Sequence, residues 1–198
     1  MCAAPLPSTP ALPSLPLLEA TADLLSERGP HRVTLEDIAA AAGMRTPTLA
    51  SLWPEPLDPT RAVIDYLGES ISGALGPERS GEQLGDLLAR TLGATEQHER
   101  YWRVLTWSLL EGVHPLDLKR DYPVIRRMVQ AAGRSPGHAT SPEALVAGLA
   151  GAGMGLLIYG PYLQVALGQG ESRWARTRGE LVTMMRRLML RAERRGRR

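Results

Sequence analysis

With 198 residues, 43% of them apolar and 22% charged, the chain is long enough to bury a core and has the composition of a globular protein. One cysteine, Cys2, excludes a disulfide framework, and His31, His98, His114 and His138 lack the spacing of metal ligands, so no metal and no cofactor is expected. The net charge of +2 conceals an uneven spread: residues 17–70 carry nine acids against four Arg, and residues 173–198 carry ten Arg against two acids.

Prolines at positions 5, 7, 10, 13 and 16 prevent helix, and no cation precedes them to make a secretory signal. Residues 1–14 therefore read as a disordered Pro-rich leader. Leu17, Leu18, Ala22, Leu24 and Leu25 recur at helical spacing until Gly29-Pro30 stops them. Thr34 opens the next helix, with Asp37 placed as in a capping box, and Gly43 ends it. A short third helix follows, with Thr46 expected as its cap and Pro47 at its first position. After the break at Trp53–Leu57, Asp58-Pro59 starts a helix that runs to about Leu75.

The remainder is also helical by pattern, over Glu82–Thr95, Gln97–Gly112, Pro115–Ala132, Pro142–Leu167 and Ser172–Glu193. Pro123 is expected to kink or start the third of these. A loop spans Gly133–Ser141, where a G-x-S-x-G string at 133–137 lacks the strand that a nucleophile elbow needs. No run alternates with period two. The expected fold class is all-α, and the chain is not expected to be an enzyme.

Residues 35–52 carry the strongest signal. Two helices joined by a tight turn need a small residue at their contact and a residue that accepts positive φ, and Ala39 and Gly43 meet these needs. Ile38, Ala42, Met44, Leu49 and Leu52 are placed to be buried. Arg45, Thr46, Pro47, Thr48 and Ser51 are left on the outer face, short polar groups beside one Arg that suit a DNA groove. An ordinary helical hairpin is the other reading of the same spacing.

Leu18-Glu19-Ala20, Leu24 to Gly29, Val33 to Ala39, Ala42-Gly43-Met44, Thr48-Leu49 and Trp53-Pro54 together resemble the DNA-binding domain of the tetracycline-repressor (TetR) family of transcriptional regulators. The resemblance covers about 50 residues, Leu17 to Tyr66. It implies a helix-turn-helix domain over 15–57, then a helical ligand-binding and dimerisation domain over 58–195. It places Arg45, Thr46, Pro47, Thr48 and Ser51 at the major groove of an operator, and the end of the second helix near Thr34 at a phosphate. Arg28, His31 and Arg32 are further candidates for backbone contacts. Members usually carry Tyr or His near Ala50, Ser51 and Leu52, and a Ser-Lys pair opening the fourth helix; here Glu55-Pro56-Leu57 is inserted and Arg61 is the candidate replacement for that Lys.

The implied function is a dimeric, cytoplasmic DNA-binding regulator, a repressor, whose affinity for double-stranded operator DNA is changed by a small-molecule effector. Trp102, Trp107, Leu110, Tyr122, Met128, Met154, Tyr159 and Tyr162 are the effector-pocket candidates, being large, apolar or amphipathic and carried on the middle helices. Residues 144–170 are free of charge. Gly148, Ala152, Gly155 and Tyr159 form one stripe on this segment, flanked by Leu163, and are expected at a homodimer interface. Two rival functions differ in kind: a helical ligand-binding or dimerisation module with weak or lost DNA binding, and a membrane-anchored protein using residues 144–170 as its span. The first is favoured by the sparse phosphate-contact residues; the glycines of the second candidate span favour a buried helix and no membrane. The Arg-rich end reads either as a solvated helix end or as a nonspecific nucleic-acid clamp.

Overall fold

The structure, a computed structural model, describes residues 13–119, 121–134 and 141–195. Among these residues all regular structure is helical, as expected. The elements are α1 (Leu15–Arg28), a 3-10 turn (Pro30–Arg32), α2 (Leu35–Ala42), α3 (Thr46–Leu52), α4 (Asp58–Leu75) and α5 (Leu84–Gln97), then α6 (Glu99–Leu110), α7 (Pro115–Leu118), α8 (Pro123–Arg134), α9 (Pro142–Ala166) and α10 (Glu171–Arg195). Most of the proline-rich leader and most of the 133–141 loop, with its G-x-S-x-G string, lie outside the described residues.

Three boundaries depart from the sequence pattern, each for a local reason. α1 opens at Leu15 with Pro16 in its first turn, where a missing N–H loses no helical bond. α3 is capped by Arg45 and not by Thr46, because the Arg45 carbonyl accepts from the Thr48 and Leu49 amides at 3.0 and 3.3 Å. The helix expected over 115–132 is two, α7 and α8. Pro123 biases the residue before it towards extended backbone and so separates them.

The chain divides into two compact units, one of residues 1–66 with 103–119, the other of residues 67–102 with 120–198. The first unit holds the helix-turn-helix. Leu17, Ile38, Ala39, Leu49 and Trp53 form its core, with Leu18, Leu24, Val33, Leu35, Ala42, Met44, Leu52 and Ala62 packed around them. Ala39 is the small residue at the α2–α3 contact that the spacing called for. The same unit takes in the end of α6 and all of α7, and the residues just after each meet the earlier part of the unit. The His31 amide donates to Glu111 Oε2 at 3.2 Å, and Lys119 Nζ pairs with Asp65 at 3.1 Å.

The second unit buries Leu84, Leu87 and Leu88 of α5 against Met128, Ala131 and Ala132 of α8 and Val146 and Leu149 of α9. At its edge the Glu82 side chain is only 1% exposed, and two guanidinium groups neutralise it. Arg127 grips it with Nε at 2.7 Å and Nη2 at 3.0 Å, and Arg90 pairs with it from α5. Arg127 also donates to the carbonyls of Gly76 and Pro77, and Arg90 to that of Leu75. The connection from α4 to α5 is thus fastened to α5 and α8 by one buried charge cluster. Burial, and then the neighbouring Arg79 and Arg127, push the Arg90 guanidinium below its ordinary pKa.

In α9 the buried positions are Val146, Leu149, Gly153 and Gly160, the last packed close against Trp174 of α10. Pro161 lies inside α9 and has no N–H to give the carbonyl four residues back. Segments 142–156 and 158–166 are bent by 59°. Among the described residues no single helix is long and apolar enough to cross a membrane; that bent pair alone passes, by length and composition.

Gly29 closes α1 with φ 82 and ψ 153, a conformation open essentially to glycine only. A Cβ there would stand 2.9 Å from Glu111 Oε1, so the carboxylate that accepts the His31 amide would have to shift. Gly43 has φ 63 and open space around it. Gly43→Ala should therefore cost only the left-handed strain, about 1–2 kcal/mol in urea denaturation, and Gly29→Ala should cost measurably more. Equal midpoints for the two variants would show that Glu111 does not crowd Gly29.

Candidate nucleic-acid interface

The position of α3 follows from the end of α2. Gly43 takes the left-handed conformation, φ 63 and ψ 31; its amide returns to the Ala39 and Ala40 carbonyls, and the Met44 amide bonds to Ala39 O at 2.9 Å. This is a Schellman closure, which satisfies the last carbonyls of α2 and turns the chain sharply. Three residues later α3 begins, anchored by buried Leu49 and followed by buried Trp53. With that side fixed inward, Arg45, Pro47, Thr48 and Ser51 are exposed and Thr46 is half-buried. The structure thus brings these five residues onto one outer surface. Ser51 already donates its hydroxyl proton to the Pro47 carbonyl at 3.0 Å.

Thr34 is differently placed. Its Oγ1 accepts from the Asp37 amide at 3.2 Å and donates to Asp37 Oδ2 at 2.8 Å, while its own amide donates to the same oxygen at 2.9 Å. The capping box is complete, with Asp37 doing what Glu or Gln more often does. The Thr34 amide and the hydroxyl hold the Asp37 carboxyl below the ordinary carboxylate range. Arg28 reaches the same carboxylate at 3.5 Å. This corner is consequently a carboxylate with its own donors, and Thr34 has no uncommitted proton for a phosphate.

Arg61 is likewise engaged within the chain. Its Nη1 lies 2.8 Å from Glu55 Oε2 and 3.2 Å from Asp58 Oδ1, and its Nε donates to the Asp117 carbonyl at 2.6 Å. The hydrogen bond to Glu55, then that to Asp58, raises its pKa. Among the described residues, Arg32 and Arg45 of the four Arg in 17–70 have no carboxylate partner. Sequence reasoning named Arg61 but missed what holds it. The Asp58–Arg61 spacing was a local signal, since residues three apart share a helix face. Asp117 lies far along the chain, and only the fold reveals it.

The effector candidates are divided between the two units. Trp107 and Leu110 belong to the first unit, where Trp107 lies against Gly29 and Leu110 is 75% exposed. Met128 is in the α5–α8–α9 core of the second unit, and Tyr159 and Tyr162 are exposed on α9. Trp102 packs edge-on to Tyr101, and its indole N–H is buried without a hydrogen-bond partner among the described residues. Tyr122 and Met154 are half-buried, and burial raises the Tyr122 phenol pKa. Of the proposed dimer stripe, Gly148, Ala152 and Tyr159 are exposed, whereas Gly155 and Leu163 are half-buried. Among the described residues no cluster of His, Cys, Asp or Glu is placed to hold a metal.

Comparison with known proteins bears on this surface and on the whole chain. Residues 17–54 match the sequence profile described as bacterial regulatory proteins, tetR family. The HTH-type transcriptional repressor Rv3405c of Mycobacterium tuberculosis is 26% identical over 155 residues, covering 78% of this chain and 77% of that protein. A TetR-like transcriptional regulator from Rhodococcus sp. RHA1 is similar in structure, with a TM-score of 0.60 and 26% identity over 91% of this chain and 98% of the other. GusR of Salmonella enterica shares the fold with a TM-score of 0.66 at 16% identity, over 91% and 94% of the two chains. The matched segment is the one whose Gly43 turn and Leu49 anchor set α3 on the surface, and over residues 17–54 the chain is similar to the tetR family of bacterial regulatory proteins.

Proposed function

We propose that the chain is a dimeric transcriptional repressor of the cytoplasm, which reads an operator with α3 and yields it when a small ligand binds the helical domain. The observation that carries the reading is the outer surface of α3, where Arg45 is exposed, free of carboxylates among the described residues, and fixed by the Gly43 turn. An uncommitted guanidinium can fork onto the O6 and N7 of guanine, and a threonine methyl beside it can pack on thymine. The relative in M. tuberculosis, itself named a repressor, favours the same direction of regulation.

A second copy of the chain is favoured by α9. Gly148, Gly151 and Gly155 sit within a helix, and a Cβ at any of them would meet nothing within 4 Å in the single chain. Helix-interior glycine costs about 1 kcal/mol against alanine, and no packing among the described residues requires it here. Close approach of another helix would. Tyr159, Tyr162 and Val165, exposed nearby, supply apolar surface for the contact. The effector would meet residues such as Trp102, whose buried indole N–H lacks a partner among the described residues and suits a ligand acceptor.

Weak or lost DNA binding is the second reading, and the engagement of Arg28 and Arg61 by carboxylates favours it. Mobility shift with the DNA upstream of the chain's own gene decides between them: retardation over a scrambled control supports the repressor, and its absence supports the helical module. If the operator is bound, Arg45→Ala should cost about 1–3 kcal/mol and relax base preference at one position; unchanged binding would remove Arg45 from the readout. Gly155→Arg should convert a dimer to a monomer in sedimentation at micromolar concentration. A monomeric wild type, or an undisturbed dimer in the variant, would exclude this face as the interface.

A further inference from the structure

The helix-turn-helix unit is poor in cations, and part of what it has is neutralised from within. Between Arg45 and Arg79 the sequence holds one basic residue, Arg61. It lies in the first turn of α4, just beyond the short connection that follows α3. Its guanidinium meets two carboxylates at hydrogen-bond distance, Glu55 at 2.8 Å and Asp58 at 3.2 Å. The two differ in commitment. Asp58 also accepts the Glu55 amide through Oδ2 at 2.9 Å, so it shapes the connection itself. The Glu55 side chain is 66% exposed, and Arg61 is its one partner among the described residues. The Nε of Arg61, bonded to the Asp117 carbonyl, keeps the guanidinium in place whichever acceptor it faces.

We infer that Glu55 is an internal stand-in for a DNA phosphate: it occupies Arg61 in the free protein and so lowers operator affinity and its dependence on salt. This rests on the DNA-binding reading above and adds to it a residue that sets affinity without touching a base. A carboxylate and a phosphate oxygen compete for the same fork of N–H donors. Exchange of one for the other leaves the charge on Arg61 balanced throughout, so contact with DNA displaces Glu55 and gains less than a free cation would. The side chain of Glu55, released, then adds a negative charge beside the backbone it was displaced by. Removing that charge without shortening the side chain leaves Asp58 as the one carboxylate on Arg61 among the described residues, so a phosphate meets less competition for the guanidinium.

The test is fluorescence anisotropy of the full chain on labelled DNA from upstream of its own gene, against a scrambled duplex, between 50 and 200 mM salt. Glu55→Gln should bind more tightly than wild type and steepen the salt slope by about 0.9, the increment for one phosphate contact. Its advantage should accordingly shrink by about threefold across that fourfold range of salt. Adding Arg61→Gln to Glu55→Gln should abolish both changes. Identical affinity and slope in wild type and Glu55→Gln overturn the inference and leave the DNA-binding reading intact. A gain that persists without Arg61 also overturns it, since it would then report bulk charge. No preference for the upstream duplex in either wild type or Glu55→Gln removes the DNA-binding reading and this inference with it.

Discussion

The turn at Gly43 is the constraint on which the candidate interface depends. A helix of eight residues and one of seven have little stability apart from their packing. Each is held by a few contacts, Ile38 and Ala39 from α2 and Leu49 from α3. Those contacts meet only if the chain reverses between Ala42 and Thr46, and the left-handed glycine with its two returning amides is what reverses it. Once the turn is set, the helical period decides the rest. Leu49 goes inward, and Arg45, Thr48 and Ser51 have nowhere to go but outward. The exposed face of α3 is thus a by-product of burying one leucine.

Electrostatics then limit what that surface can do. Phosphate neutralisation supplies most nonspecific affinity for DNA, yet this unit has more carboxylates than guanidinium groups and uses several of the latter to hold itself together. Arg28 helps close the capping box of α2, and Arg61 secures the start of α4 to α7. The same contacts that order the helix-turn-helix lower its positive potential. Few cations of this unit are left exposed without a carboxylate among the described residues, Arg45 and Arg32 among them. The ten Arg beyond residue 172 balance the charge of the chain as a whole but belong to the other unit.

Local rules made most of this visible beforehand. Helical spacing, the Thr34–Asp37 box and the Gly43 stop each act within a few residues, and each appears in the structure where the sequence put it. The error at Arg45 and Thr46 was of one residue, and it arose because either could accept the first amides of α3. The division of the helix expected over 115–132 into α7 and α8 was signalled by Pro123 and misjudged only in degree. What stayed hidden is long-range. No local pattern signals that Asp117 of α7 and Lys119 after it would bind α4, or that Glu111 would lie under Gly29. Nor does composition say which unit a large side chain joins: size and apolarity mark a residue as worth burying, without saying beside what.

The charge cluster around Glu82 ties together residues that can no longer vary independently. A buried carboxylate held by two guanidinium groups is stable as a set, and loss of any member strands the others without solvent. Replacement of Glu82 alone would leave Arg90 and Arg127 facing each other; replacement of Arg127 alone would uncover both the carboxylate and the carbonyls of Gly76 and Pro77. Single steps away from the cluster therefore pass through less stable intermediates, while a concerted change to apolar side chains of matching volume need not. The sequence at 76–82 is, in this sense, locked to positions 90 and 127, and drift in the α4–α5 connection is permitted only where those three side chains allow it.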